Sequence, residues 1–248
     1  MKIRFENLSI FFSNELGKQK ELCDNLTFEA GSKLDTGMSG IILPANSGKS
    51  VLAASFAGLN NPDSGNIYFN DIEIQKLNAL LVNCQKAFPG LSLRDLYSNL
   101  TSGDKSSKTK VGLSEVASLV GLEGYEEHVP SVLSLGFQMR LMVAAGLINN
   151  CDLFIADDPF FRLSQSTATE IADLFIRISA IKPVLLISSD LRVTVQIAKE
   201  YFLFDAMPLK FLSGGEVPAE SGEKKILVRE IADRIMALEN KLFVKYYL

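Results

Sequence analysis

The chain has 248 residues, 47% of them hydrophobic, enough to bury a sizeable core as one large domain or as one domain with an inserted lobe; this argues against disorder. A formal net charge of -4 argues against nucleic acid as the main partner, because binding a phosphate backbone requires clustered Lys and Arg. Cys23, Cys84 and Cys151 are odd in number, widely separated and outside any CxxC spacing, so neither a disulfide framework nor a zinc site is indicated and a reducing compartment fits.

At the N-terminus, Glu6 and Asn7 interrupt what would have to be the apolar region of an export signal. No apolar run reaches the length of about 20 residues that spans a bilayer. Residues 2–12 and 25–43 hold short apolar, β-branched or aromatic stretches broken by Gly31, Gly37 and Gly40, which predicts strands of an N-terminal sheet. From Ser47 to Gly58 the pattern turns helical, with Val51, Leu52, Ser55 and Phe56 at helix spacing, and a turn follows at residues 61–65.

Residues 93–138 read as a small helical insertion with polar interruptions at 102–104 and 121–124, and Lys105 to Lys110 reads as a solvated loop. Helix is predicted over 138–149 and 164–180, and buried-type strand over Leu153–Ala156 and Val184–Ser188. Such alternation implies an α/β fold with a mainly parallel sheet. From Glu223 on, Leu227, Ile231, Ile235, Leu238 and Leu242 recur at steps of three or four and define one face of an amphipathic helix, which either packs on its own domain or docks a partner chain. The sole histidine, His128, has no neighbouring residues suited to metal or acid–base work and is read as a surface residue.

The strongest chemical signal is Leu43-Pro44-Ala45-Asn46-Ser47-Gly48-Lys49-Ser50, between a predicted strand and a predicted helix. In a phosphate-binding loop, successive backbone N–H groups and a helix N-terminus surround the phosphates, the Lys reaches the β and γ groups, and the Ser hydroxyl ligates magnesium. Lys49 and Ser50 are in place, while Leu43 and Asn46 stand where glycines are expected. Asn46 tolerates a left-handed backbone, whereas Leu43 is expected to sit awkwardly in a tight turn. Taken by itself, the segment could also be an ordinary strand-to-helix turn.

Four further features follow the loop in a set order: Gln85 within Asn83-Cys84-Gln85-Lys86-Ala87-Phe88; Leu133-Ser134-Leu135-Gly136-Phe137-Gln138-Met139-Arg140; Leu153-Phe154-Ile155-Ala156-Asp157-Asp158-Pro159; and Ile187-Ser188-Ser189-Asp190-Leu191; the aromatic Phe12 precedes it. With the loop, they resemble the ATP-binding subunits of ABC transporters over residues 2 to about 215. The resemblance implies a P-loop NTPase core with a mainly parallel sheet, an N-terminal antiparallel β-subdomain and an inserted helical subdomain. Residues 1–85 and 138–215 would form the core, 86–137 the helical subdomain with the signature segment, and 216–248 a C-terminal helical extension.

The same resemblance implies ATP and Mg2+ as cofactors. Phe12 would stack on adenine, and Pro44, Ala45, Asn46, Ser47, Gly48, Lys49, Ser50 and Val51 would hold the phosphates. Ser50, Gln85 and Asp157 would hold the metal, and Asp158, Gln85 and Ser189 occupy the catalytic positions. Ser134 and Gly136 belong to the signature that meets the nucleotide of a second ABC ATPase chain, the same or different, in a head-to-tail dimer. Integral membrane permease subunits would grip the cleft near Gln85, placing the chain in the cytoplasm against the inner face of the cell membrane.

Several positions depart from the family pattern. Asp158 stands for a catalytic Glu and is one methylene, roughly 1.5 Å, shorter; Ser189 stands for a His, Leu135 for a Gly, Phe137 for a Gln and Ser164 for an Asp. These changes imply nucleotide binding that exceeds turnover. A non-catalytic scaffold or regulatory subunit on the same fold is the other reading, and a soluble assembly or repair ATPase has no positive feature in its favour. Val51 and Phe160 stand where Thr is common, as in the MCE-associated lipid transporters of Mla and Mkl type, which would imply phospholipid cargo and an MCE-domain partner; neutral drift explains them equally well.

Overall fold

A computed structural model describes residues 1–13, 17–32, 35–83, 90–102, 111–129, 134–205 and 208–247, with side chains to residue 236. The first two strands, β1 (Ile3–Ser13) and β2 (Gln19–Ala30), form an antiparallel pair running from Ile3 opposite Ala30 to Ser13 opposite Gln19. With β4 (Ser64–Phe69) and β5 (Ile72–Glu73) they build a four-stranded antiparallel sheet in the order β2-β1-β4-β5.

The strand between them, β3 (Gly37–Ile42), leaves this sheet. It lies inside a second, six-stranded sheet with β6 (Ala79–Asn83), β7 (Leu153–Asp157), β8 (Pro183–Ser188), β9 (Glu200–Asp205) and β10 (Lys210–Glu216), in the order β10-β9-β3-β8-β7-β6. Every pairing here is parallel except β9 with β10. The expectation that residues 25–43 belong to one N-terminal sheet is therefore corrected. All six residues of β3 are buried, which only a strand covered on both faces permits. Gly40 makes that cover possible, since a Cβ there would lie 2.3 Å from Thr194 Cγ2 on the helix above it.

Seven helices are described: α1 (Lys49–Phe56), α2 (Leu93–Thr101), α3 (Leu113–Val120), α4 (Leu135–Ile148), α5 (Gln165–Ser179), α6 (Leu191–Ile197) and α7 (Ser221–Tyr247). Ser92 and Asp95 form a capping box that starts α2, and Gly121 at φ 68° ends α3. The fourth helix begins at Leu135, three residues before the expected start, because the Ser134 side chain accepts the Phe137 N–H and caps it.

Period-two alternation along the parallel strands divides the core between the two faces of the sheet. Phe154, Ala156, Val184 and Leu186 face α2 to α5. Leu153, Ile155, Leu185 and Ile187 pack with Ile41 and Leu52 against the antiparallel sheet, whose Phe5 and Phe28 rings are 5.6 Å apart. Ile231 of α7 is buried against Ile42, Val195 and Leu203, with Leu227 and Ile235 beside it, so this part of the helix rests on its own domain. The side chains of Leu238 and Leu242 lie outside the described residues. No described helix is long and apolar enough to cross a membrane.

Candidate functional site

The C-terminal ends of β3, β7 and β8 meet at one edge of the parallel sheet, the place where open α/β sheets present ligand crevices. Beyond Ile42, the Leu43 N–H still donates to the Ser188 carbonyl at 3.2 Å, so the parallel ladder continues one residue past the strand. Leu43 has a negative φ and is 1% exposed within the core. The expected misfit of Leu43 in a tight turn is corrected: the chain has not yet turned at that residue, and its side chain points into the core instead of the cleft.

The turn is made at Asn46 and Gly48, both left-handed, at φ 57° and 81°. Asn46 thus adopts the conformation expected of it. Gly48 caps α1, and the N–H groups of Val51 and Leu52 both donate to its carbonyl at 3.0 Å. A Cβ on Gly48 would lie 2.8 Å from Leu22 Cδ1 and 3.5 Å from the Phe12 ring, which sets Phe12 against the loop.

Residues Ala45 to Val51, with Asn83, Asp157, Asp158, Phe161, Arg162 and Ser189, line a cleft of about 340 Å³. Lys49 reaches along it. Its Nζ donates to the Pro44 carbonyl at 3.1 Å and pairs with Asp158 Oδ2 at 3.1 Å. Asp158 is itself left-handed, at φ 42°, and its Oδ1 accepts from the Ser188 hydroxyl at 2.9 Å and the Ser189 N–H at 3.0 Å.

Asp157 ends β7, opposite Asn83 on one side and Ile187 on the other. It is 7% exposed, and its Oδ1 is buried without a hydrogen-bond partner. Burial pushes its carboxyl above the ordinary carboxylate value, and the nearby Asp158 charge adds to this; a hydrogen bond with Ser50 and the charge of Lys49 pull the other way. A buried carboxylate oxygen beside a serine hydroxyl is the donor set a hard divalent cation prefers. Among the described residues no cluster of three or more His, Cys, Asp or Glu can hold a metal by itself. Phosphate oxygens and water would have to supply the remaining ligands.

The structure therefore brings Ala45 to Val51, Asp157, Asp158 and Ser189 to one cleft, with the Pro44 carbonyl and the Phe12 ring at its margin. Ser134 and Gly136 are not among its lining residues. Ser134 caps α4, and Gly136 lets α4 approach α5, where a Cβ would meet Thr167 Cγ2 at 2.7 Å. Ser164 caps α5 by accepting the Thr167 N–H at 3.3 Å. Gln85 and Leu133 lie outside the described residues. His128 is exposed, its ring 4.9 Å from that of Tyr125.

Val51 packs against the core, and Phe160 is buried in the helical side of it, so both apolar side chains have a structural reason to be there. Asn83, Phe161 and Arg162 line the cleft without having been singled out from the sequence. For Asn83 a signal existed in its place at the end of an apolar run two residues before Gln85, whereas Arg162 carries none.

A parallel strand, a left-handed loop, a lysine at the first turn of the next helix and a buried carboxylate ending a nearby strand define a P-loop nucleotide-binding fold. The family model for the ABC transporter matches residues 25–161, and the chain belongs to that family. It is 25% identical over 217 residues to the aliphatic sulfonates import ATP-binding protein SsuB of a Bacillus cereus strain, covering 85% of this chain and 84% of that one. It is 32% identical over 182 residues to the methionine import ATP-binding protein MetN 2 of Enterococcus faecalis, covering 68% of this chain and 51% of that one.

Among solved structures, cbiO1 from Clostridium perfringens, part of the cbiONQ ABC transporter complex, superposes with a TM-score of 0.69 at 17% identity over 97% of this chain and 98% of its own. The dimeric ATP-binding cassette MJ0796 bound to ADP and Pi gives 0.66 at 18% identity, over 88% of this chain and 100% of its own. At these identities the likeness establishes the α/β fold of an ABC cassette, with its antiparallel N-terminal sheet and mainly parallel main sheet.

Proposed function

We propose that the chain is the ATP-binding subunit of an ABC transporter, that it binds ATP with Mg2+ in the cleft beside Lys49, and that it turns the nucleotide over slowly. The observation that carries this reading is the convergence of Lys49, Ser50 and the unpartnered Oδ1 of Asp157 on one cleft. Lys49 supplies charge to the phosphates, while Ser50 and Asp157 offer oxygens to the metal. Phe12 would stack on the base, and Gln85, outside the described residues, would join Ser50 and Asp157 in holding the metal. Bound Mg2+ would supply charge neutralisation at the β and γ phosphates.

Slow turnover rests on the engagement of Asp158. Both its oxygens are used within the chain, by Lys49 and by Ser188 and Ser189, and a general base must instead come within about 3 Å of the proton it accepts or act through one water. Ser189 has no imidazole to bring to the γ-phosphate.

A second ATPase chain, the same or different, would complete each site head to tail through Ser134 and Gly136. Integral membrane permease subunits would hold the pair at the inner face of the membrane, gripping the helical lobe formed by residues 86–137. Residues 1–85 and 138–215 form the nucleotide-binding core in this reading, and 216–248 the C-terminal extension. Two of the named relatives import aliphatic sulfonates and methionine, which favours a small organic solute as cargo. The phospholipid and MCE-domain reading rests on Val51 and Phe160 alone, and core packing accounts for both.

The test is nucleotide-dependent thermal stabilisation. MgATP at 100 times its Kd should stabilise the chain by about 2.7 kcal/mol, and Lys49→Ala should abolish the effect. Absence of stabilisation favours the other reading, a scaffold or regulator in which the Lys49–Asp158 ion pair permanently replaces the phosphates. Turnover faster than about 1 per second, an ordinary enzyme rate, would overturn slow hydrolysis.

A further inference from the structure

A second, larger cavity of about 770 Å³ adjoins the nucleotide cleft, between the segment after β7, the loop entering α6, and the first turns of α7. Four cations line it: Arg162, Arg192, Lys225 and Arg229. Its two carboxylates are both already engaged. Asp158 holds Lys49 and the Ser188 and Ser189 donors, and Asp190 caps α6 by accepting the Val193 N–H at 3.1 Å. None of the four cations has an ion pair among the described residues; Arg162 has its guanidinium over the Phe161 ring, 5.1 Å from the centroid.

In a chain of net charge -4, such a concentration is not a general surface property. Cations brought together from three separate segments repel one another, and a concave wall focuses their field and raises the local concentration of anions. The size lies within the range of small-molecule sites, roughly 300–1,000 Å³. Arg162 and Ser189 line both cavities, so whatever occupies the larger one borders the phosphate end of the smaller. Arg162 also sits at φ 66°, a left-handed backbone that is strained for a side chain of its kind.

We infer that this cavity is a second binding site, for a small polyanion bearing at least two phosphate, sulfonate or carboxylate groups, and that α7 forms one wall of it. The ligand bridges Arg192 on α6 with Lys225 and Arg229 on α7, and touches the nucleotide cleft through Arg162. Occupancy therefore couples to nucleotide binding through a shared wall. This coupling rests on the proposed nucleotide site, but binding of the polyanion itself does not.

The probe is inorganic pyrophosphate, titrated calorimetrically into the full chain with EDTA present, alongside Lys49→Ala and the triple variant Arg192→Gln, Lys225→Gln, Arg229→Gln. All three substituted cavity residues are exposed, and circular dichroism checks that the fold is kept. Pyrophosphate affinity should fall at least about tenfold in the triple variant, as expected when several charge-assisted contacts are removed, and clearly less in Lys49→Ala, where only the loss of Asp158's partner is felt. The opposite pattern, binding abolished by Lys49→Ala and untouched by the triple variant, assigns pyrophosphate to the phosphate loop and overturns the proposal, as does no binding to the unsubstituted chain. Citrate in place of pyrophosphate distinguishes the ligand sources: equal binding marks a general polyanion site, and pyrophosphate alone a phosphate-selective one, each upholding the site. Failure of MgATP to bind refutes the nucleotide reading while leaving the pyrophosphate result intact.

Discussion

Lys49 Nζ and Asp158 Oδ2 stand 3.1 Å apart across the nucleotide cleft; Lys49 is held further by the Pro44 carbonyl of its own loop, and Asp158 by the Ser188 hydroxyl and the Ser189 N–H at the end of β8. The lysine's charge is thus neutralised from within the chain before any phosphate arrives. In the proposed nucleotide site, arriving phosphates would compete with Asp158 for Lys49.

Asp158→Asn removes that competitor while keeping an oxygen for the Ser188 and Ser189 donors. ATP affinity should rise about fivefold, equivalent to about 1 kcal/mol for a partly exposed ion pair. A fluorescent-nucleotide titration reads the change, and unchanged or weaker binding would show that Asp158 does not restrain Lys49.

Asp157 has a carboxyl raised above its ordinary value chiefly by burial. The folded chain then holds that proton more tightly than the unfolded chain does, so stability falls as pH climbs from the usual carboxylate value through the raised one. Asp157→Asn should make the nucleotide-free protein more thermostable at neutral pH, by on the order of a few °C, with the gain vanishing in acid where both side chains are neutral. The same variant should lose the extra stabilisation that Mg2+ adds to ATP. Melting curves at several pH values, with and without MgATP, check both signs.

Ser164 accepts the Thr167 N–H and caps α5. Ser164→Ala should cost about 1 kcal/mol, a fall of roughly 2–4 °C in Tm. Ser164→Asp keeps a capping oxygen and should melt within error of the unsubstituted chain. An equal loss in both variants would mean that the cap is not what Ser164 contributes.

Burial pushes the thiols of Cys23 and Cys151 up to about 11 and about 12. At pH 8 almost no thiolate is present and neither sulfur is accessible, so iodoacetamide should leave both unmodified in the native chain and label both once it is unfolded. Mass spectrometry of the digested protein gives the result for each site, and rapid native labelling of Cys151 would contradict its burial.

Much of this protein could be read directly from local residue patterns. Strand, loop and helix around Lys49, the carboxylate ending a buried strand, and the alternation implying a parallel sheet all depend on residues near one another in the chain, where backbone preference and side-chain periodicity act. Asn46 is the clearest case: its side chain tolerates a left-handed backbone, and that is what it adopts. The sheet to which β3 belongs, the fit of Leu43 and the roles of Arg162 and Ser164 could not be read in that way. Leu43 is comfortable only because Ser188, far along the chain, extends the ladder and the core accepts the side chain. Arg162 comes to line one cavity with Arg192 and Arg229 only when three distant segments fold to one edge. Local sequence determined which pieces of the nucleotide cleft exist; long-range strand pairing and burial decided which of them face one another, because those energies depend on contacts between residues that the chain order keeps apart.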